Sequence, residues 1–226
     1  MKLRFKVPVA VLAAFYAAYR PNTVLGVALR FGTDVLAGVP SIVVGLFGYA
    51  IIVLPQGHYS GLAGGVAVAI VMLPTIIRTT EEMLKLVPPS LREGSLALGA
   101  PEWRTSLSVL LPAAASGVVT GIMLAIARGV GETAPLLFTA LGNDRYEIGQ
   151  ILRSGIQGRL PIQAILGRLI DQPVDGLTLT MWKYAQQPSP ERVAQSWAVA
   201  LVLMLFVLLT NILVRGFVTR RQRSGR

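Results

Sequence analysis

The 226-residue chain is 53% hydrophobic and only 14% charged, against about 25% charged in an ordinary soluble domain. That balance excludes a disordered chain and argues against an ordinary soluble enzyme, whose surface needs more charge. The formal charge of +10 comes from 21 bases and 11 acids, and there is no cysteine, which excludes disulfide frameworks, cysteine-ligated zinc and thiol catalysis.

The placement of the charge carries more information than its sum. Lys2, Arg4 and Lys6 open the chain, and Arg215, Arg220, Arg221, Arg223 and Arg226 crowd its last twelve residues without an acid. Bases at the ends of apolar segments are a signature of membrane topology, and no nucleic-acid partner is expected.

In chain order, the first apolar run is Val7–Tyr19, 13 residues long. It is read as a short span near 7–20. Tyr19-Arg20-Pro21 lacks the small residues of a signal-peptide cleavage site. The 43 residues between Asp34 and Arg78 carry no charge. A membrane helix needs roughly 20 apolar residues, so this run holds two, near 38–55 and 61–77, joined by the polar turn Pro55–Ser60. His58, the sole histidine, reads as a solvated turn residue.

A further span is expected near 113–135, where Gly117 and Gly121 have the small-xxx-small spacing of close helix packing. Residues 142–195 carry six bases and five acids with Trp182 and Tyr184, and read as short amphipathic pieces along the membrane surface. The last span, near 196–215, leads into the arginine-rich tail. The expectation is an all-α integral membrane protein, one transmembrane domain over 1–226 with about five spans.

With the tail cytoplasmic, 142–195 is external, 78–112 cytoplasmic, 56–60 external and 20–37 cytoplasmic. Met1 then falls outside, with Lys2, Arg4 and Lys6 against the positive-inside rule. A helix preceding Met1 would remove this conflict, so the chain reads as shortened at its N-terminus.

The cytoplasmic segment 78–112 is balanced in charge. Ser90 is a candidate N-cap with Glu93 as its capping-box partner. A short helix 91–98 would end at Gly99, and a second would begin with Pro101 in its first position. Such an elbow reads as a docking element for a soluble partner, with a structured connection as the alternative.

Glu93-Gly94-Ser95, Gly99, Val109 and Leu111-Pro112 reproduce the spacing of the cytoplasmic loop of binding-protein-dependent ABC importer permeases. Gly94 and Ser95 stand where that motif has two alanines. Asp34–Phe47, Leu73–Glu82, Gly131–Leu141 and Ala185-Gln186-Gln187-Pro188 resemble the phosphate-specific branch, the Gly131–Phe138 run most of all its A-type permease subunits.

The resemblance implies a type I importer permease fold, usually of six spans, in a bacterial or archaeal cytoplasmic (inner) membrane, multi-pass. It implies a coupling helix at Glu93–Gly99, with Glu93, Gly94, Ser95, Gly99 and Pro112 meeting the ATPase. It also implies a second homologous permease subunit as heterodimer partner, an ATPase dimer, an external phosphate-binding protein and surrounding lipid. No cofactor is expected in this chain, since Gly-x-x-x-x-Gly-Lys-Ser/Thr is absent, and ATP and Mg belong to the partner ATPase.

Arg128 and Glu132 interrupt a largely apolar stretch. Their spacing of four puts them on one face if the helix continues, although Gly131 and Pro135 flank Glu132 and favour a break. Intramembrane charges face a cavity or a partner, so the pair reads as a pathway or gate element, with mutual neutralisation as the alternative. For an anion pathway Arg128 is the attractive group, its guanidinium fork matching oxyanion oxygens. Arg78 reads as an interfacial anchor followed by a Glu81–Lys85 pair, or as part of an inner vestibule.

Three classes compete: a phosphate or other oxyanion permease subunit, a membrane enzyme, and a non-transporting channel or scaffold. The single histidine outside the spans and the lack of cysteine count against an enzyme, Ser–Lys chemistry aside.

Overall fold

The computed structural model describes residues 3–20, 22–142, 167 and 170–223. Among them regular structure is helical throughout. Helix α1 is Leu3–Tyr19 and α2 is Val24–Gly38. α3, Ser41–Gly48, runs through a π-helical segment, Tyr49–Val53, into α4, Leu54–Gln56. α5 is Gly61–Lys85 and α6 is Pro89–Ala97. α7, Glu102–Thr105, runs through a second π-helical segment, Ser106–Leu110, into α8, Leu111–Gly131. α9 is Ala134–Thr139, α10 is Leu177–Ala185 and α11 is Pro190–Arg223.

Glycine and proline punctuate these helices. Gly57 takes a left-handed φ of 74° after α4, and Ser60 Oγ accepts a hydrogen bond from Ala63 N at 3.2 Å, capping α5. Each π-helical segment is followed two residues later by a proline, Pro55 and Pro112. A helical proline collides with the carbonyl four residues back. Here that carbonyl belongs to Ile51 or Ser108, inside the widened turn that relieves the clash.

Among the described residues three helical stretches are long and apolar enough to cross a membrane: Gly61–Lys85, Glu102–Gly131 and Pro190–Leu213. The first covers the expected span 61–77, and the other two overlap most of the expected spans 113–135 and 196–215, ending at Gly131 and Leu213. The other two expected spans fall short. The 38–55 run is helical over 41–56 and reaches sufficient length only when counted with α2 as one broken span. α1 has 17 residues, about 26 Å against a hydrocarbon core of roughly 30 Å. Segment 20–37 is largely helix α2. The expected surface pieces at 143–166 lie outside the described residues.

The chain divides into two compact units. The first comprises Met1–Gly38, Val71–Arg128 and Leu209–Arg226. Its core packs Ala10 with Ile76 and Ala125, and Leu84 with Ala114 and Val118. Gly117 and Gly121 let α8 lie close on α5. A Cβ at Gly117 would sit 2.2 Å from Met83 Sδ, and one at Gly121 2.7 Å from Thr79 Cβ. Gly121→Ala is expected to cost about 1–3 kcal/mol by overpacking. Gly65→Ala, with no atom within 4 Å of its new methyl, is expected to be neutral or mildly stabilising. Thermal unfolding in detergent checks both.

The second unit comprises Val39–Ile70 and Gly129–Leu208. Here glycines seat the short helix α9. A Cβ at Gly45 would lie 2.9 Å from Pro135 Cα, one at Gly48 2.9 Å from Thr139 Cγ2, and one at Gly64 3.1 Å from Ala140 Cβ. Ser60 N donates to Thr139 O at 3.2 Å, tying α9 to the start of α5. In contrast, over 190–213 α11 buries only Ser196 and exposes Leu201, Met204, Leu205 and Leu208, the condition of a helix whose solvent is lipid.

Candidate functional site

The elbow at 89–105 is built by its prolines and by one glycine. α6 starts at Pro89 behind Pro88, without a side-chain cap, so the expected Ser90 cap and its box with Glu93 do not form. Pro89 has the φ of a first helical residue and no N–H to satisfy, which lets the helix begin ahead of the serine. At the far end Gly99 has φ +80°. Gly99 N donates to Leu96 O at 2.9 Å and Ala100 N to Ser95 O at 3.2 Å, a Schellman closure. Pro101 is the cap of α7 and not its first residue. Its carbonyl accepts from Arg104 N and Thr105 N, both at 3.0 Å.

The two arms are braced by a hydrogen bond of 2.8 Å between Ser95 Oγ and Thr105 Oγ1, Thr105 being buried. Of the motif positions, Ser95 therefore faces inward, whereas Glu93, Gly94, Gly99 and Pro112 are exposed. Exposed apolar side chains share the elbow surface: Leu98 at 90% and Trp103 at 66%.

Sequence reasoning missed the charges behind the elbow. Glu102 Oε2 pairs with Arg20 at 2.8 Å and its Oε1 with Arg92 at 3.3 Å, joining the end of α1 to both arms. The Arg92 guanidinium lies 5.8 Å from the centre of the Tyr19 ring, and Tyr19 Oη donates to Leu84 O at 3.3 Å. Tyr19, Arg20, Arg92 and Glu102 line a cavity of about 310 Å³ with Phe15, Leu96 and Trp103. Nothing local in the sequence marks residues 82 positions apart as partners.

A second set of charges joins α2 to α5. Glu81 Oε1 lies 2.7 Å from both Arg30 Nη2 and Lys85 Nζ, and the Glu81 side chain is only 2% exposed. Arg30 also donates to Ala17 O at 2.8 Å. One turn away, Arg78 pairs with Asp34. The expected Glu81–Lys85 pair is present, and α2 supplies the partners that spacing along α5 could not reveal.

Helix α8 stops at Gly131, so the uninterrupted helix that would stack Glu132 one turn beyond Arg128 is not formed. Arg128 is exposed in the last turn, and Glu132 is half-buried just past it. Glu132 N donates to Gly129 O at 3.3 Å and Thr178 Oγ1 donates to Glu132 O at 3.1 Å. The acid thus sits in the short break before α9.

Residues 7–223 match the family described as binding-protein-dependent transport system inner membrane component. The chain is 42% identical over 216 residues to a phosphate transport system permease protein PstA of Yersinia pestis, which covers 95% of this chain and 66% of that relative. It is 40% identical over 217 residues to its namesake in Pasteurella multocida, with 96% and 70% covered. A probable PstA of the archaeon Methanocaldococcus jannaschii is 33% identical, with 92% and 67% covered. The chain thus spans about two thirds of the length of these relatives. By the match over nearly its whole length, the chain belongs to the family of inner-membrane components of binding-protein-dependent transport systems.

Proposed function

We propose that this chain is the transmembrane permease subunit of an ATP-driven importer of inorganic phosphate, and that it lines half of the translocation pathway. The observation that carries this reading is the identity of 33–42% with proteins named as phosphate transport permeases, spread over 92–96% of the chain. The partners are a second homologous permease subunit, a dimeric ATPase that holds ATP and Mg, and an external phosphate-binding protein. The membrane is the bacterial or archaeal cytoplasmic membrane, with the elbow and tail on its inner side.

In this reading Glu93, Gly94 and Gly99 present the exposed face of the elbow to the ATPase, Ser95 braces it, and Pro112 starts the helix that leaves it. Movement of the elbow passes along Glu102–Gly131, one continuous helical stretch, to Arg128 at its end and Glu132 in the break. Arg128 and Arg78 supply the positive groups of the anion pathway, and Glu132 is the acidic group of the gate.

The test is uptake of radiolabelled phosphate by cells or proteoliposomes carrying the assembled importer. Glu93→Arg is expected to reduce co-purification of the ATPase and to lower uptake at least tenfold. Arg128→Gln is expected to leave assembly intact and lower phosphate uptake at least tenfold, since removing one electrostatic stabiliser costs about that much or more. Unchanged uptake in an assembled Arg128→Gln importer would remove that residue from the pathway. Transport of a different oxyanion in preference to phosphate would move the chain to a sister specificity.

A further inference from the structure

The α2–α5 seam carries two ion pairs of opposite character. On α2 the order is Arg30 then Asp34; on α5 it is Arg78 then Glu81 and Lys85. Arg30 meets Glu81, and Asp34 meets Arg78. The first pair is buried and held by charge, with no hydrogen bond to Glu81 Oε1 among the described residues. The Glu81 side chain is 2% exposed and has two cations against one oxygen. The second is open: Arg78 is 44% and Asp34 51% exposed.

That difference decides what each pair can do. A desolvated carboxylate with two cations does not release them, because the vacated charges would be stranded. A half-exposed pair between two side chains is held by little net free energy and exchanges readily with other ions. Charged side chains on membrane helices do not face lipid; they face a water-filled cavity or a partner. An aspartate carboxylate offers a guanidinium the same planar oxygen geometry that an oxyanion offers.

We propose that Asp34 is an internal counter-ion, which occupies the Arg78 guanidinium when no oxyanion is there and yields it when one arrives. The charge-held Arg30–Glu81–Lys85 set one turn away keeps α2 and α5 in register while this exchange takes place. Asp34 thereby lowers the apparent affinity of Arg78 for anion by the fraction of time it holds the fork. The consequence is release: phosphate that has reached Arg78 is displaced by a carboxylate already tethered beside it. This assignment rests on the pathway reading of Arg78 given above.

The experiment uses the complete importer in proteoliposomes, with inorganic phosphate loaded inside at graded concentrations. Asp34→Asn is expected to make uptake more sensitive to internal phosphate, lowering the half-inhibiting concentration about fivefold, with a lower maximal rate and a lower KM together. Asp34→Glu, which keeps the competing carboxylate, is expected to stay within about twofold of the parent. A merely structural staple would lower assembly or rate but would not move the internal-phosphate midpoint. An assembled Asp34→Asn importer with an unmoved midpoint therefore overturns the counter-ion role. Arg78→Ala separates the two layers. If it abolishes uptake while Asp34→Asn leaves the midpoint unmoved, only the counter-ion assignment falls. If assembled Arg78→Ala transports normally, the pathway reading of Arg78 falls with it.

Discussion

Replacing Glu81 by alanine is expected to destabilise the protein by about 3–5 kcal/mol, the usual consequence of breaking a buried ion pair from one side. The reason lies in what remains. Lys85, half-exposed, can turn to solvent, but the Arg30 side chain is 29% exposed. Arg30 is also fastened through Nη2 to Ala17 O, and its Nε is buried without a hydrogen-bond partner among the described residues. Its positive charge would be stranded.

Glu81→Gln retains the shape and the acceptor oxygen, so a smaller loss is expected. The paired replacement Arg30→Met with Glu81→Leu is expected to come close to the parent, because apolar pairs of similar volume replace buried ion pairs at little net cost. Thermal unfolding of the detergent-solubilised protein, arranged as a double-mutant cycle, measures all three. A Glu81→Ala loss below 1 kcal/mol, no more than an exposed pair contributes, would mean that the carboxylate is not the buried anchor described here.

The second large effect is expected at Gly99, and there the cause is conformation without crowding. No atom lies within 4 Å of the Cβ that a side chain would add, while φ is +80°. Substitutions should therefore rank by their tolerance of the left-handed region. Asn comes nearest to Gly, Ala is worse by roughly 1–2 kcal/mol, and Val is worse still because of its β-branch. The strain falls on the Schellman closure, and so on the angle between α6 and α7. In the assembled importer the same order, Gly, Asn, Ala, Val, is expected in phosphate uptake, with Val reduced tenfold or more. An order that followed side-chain volume, with Asn below Ala, would show that contact with a partner and not backbone strain governs the position.

The elbow is the part of the site most legible from the sequence. Gly99 and the proline pairs are local signals: each acts through its own φ or its missing N–H. The departures from local expectation there are equally local. Ser90 looked like a cap because it precedes Glu93 by three residues, yet Pro89 starts the helix ahead of it. The break after Gly131 could also be read in advance, from a glycine and a proline flanking an acid. What it could not reveal was Thr178 reaching the Glu132 carbonyl across 46 residues.

Composition and charge-free runs determined by themselves that this is a helical membrane protein, and glycine and proline determined most of its helix ends. These properties depend on the chain's solvent and on backbone chemistry within a few residues. Only the tertiary structure decided which charges meet. Arg30 with Glu81, Asp34 with Arg78 and Arg20 with Glu102 are separated by 44 to 82 positions. Coulomb attraction depends on distance in space, and that distance is set by how α1, α2, α5 and the elbow pack. The same packing decided that Glu81 is buried and Asp34 is exposed. That difference makes one pair a fastening and leaves the other open to exchange.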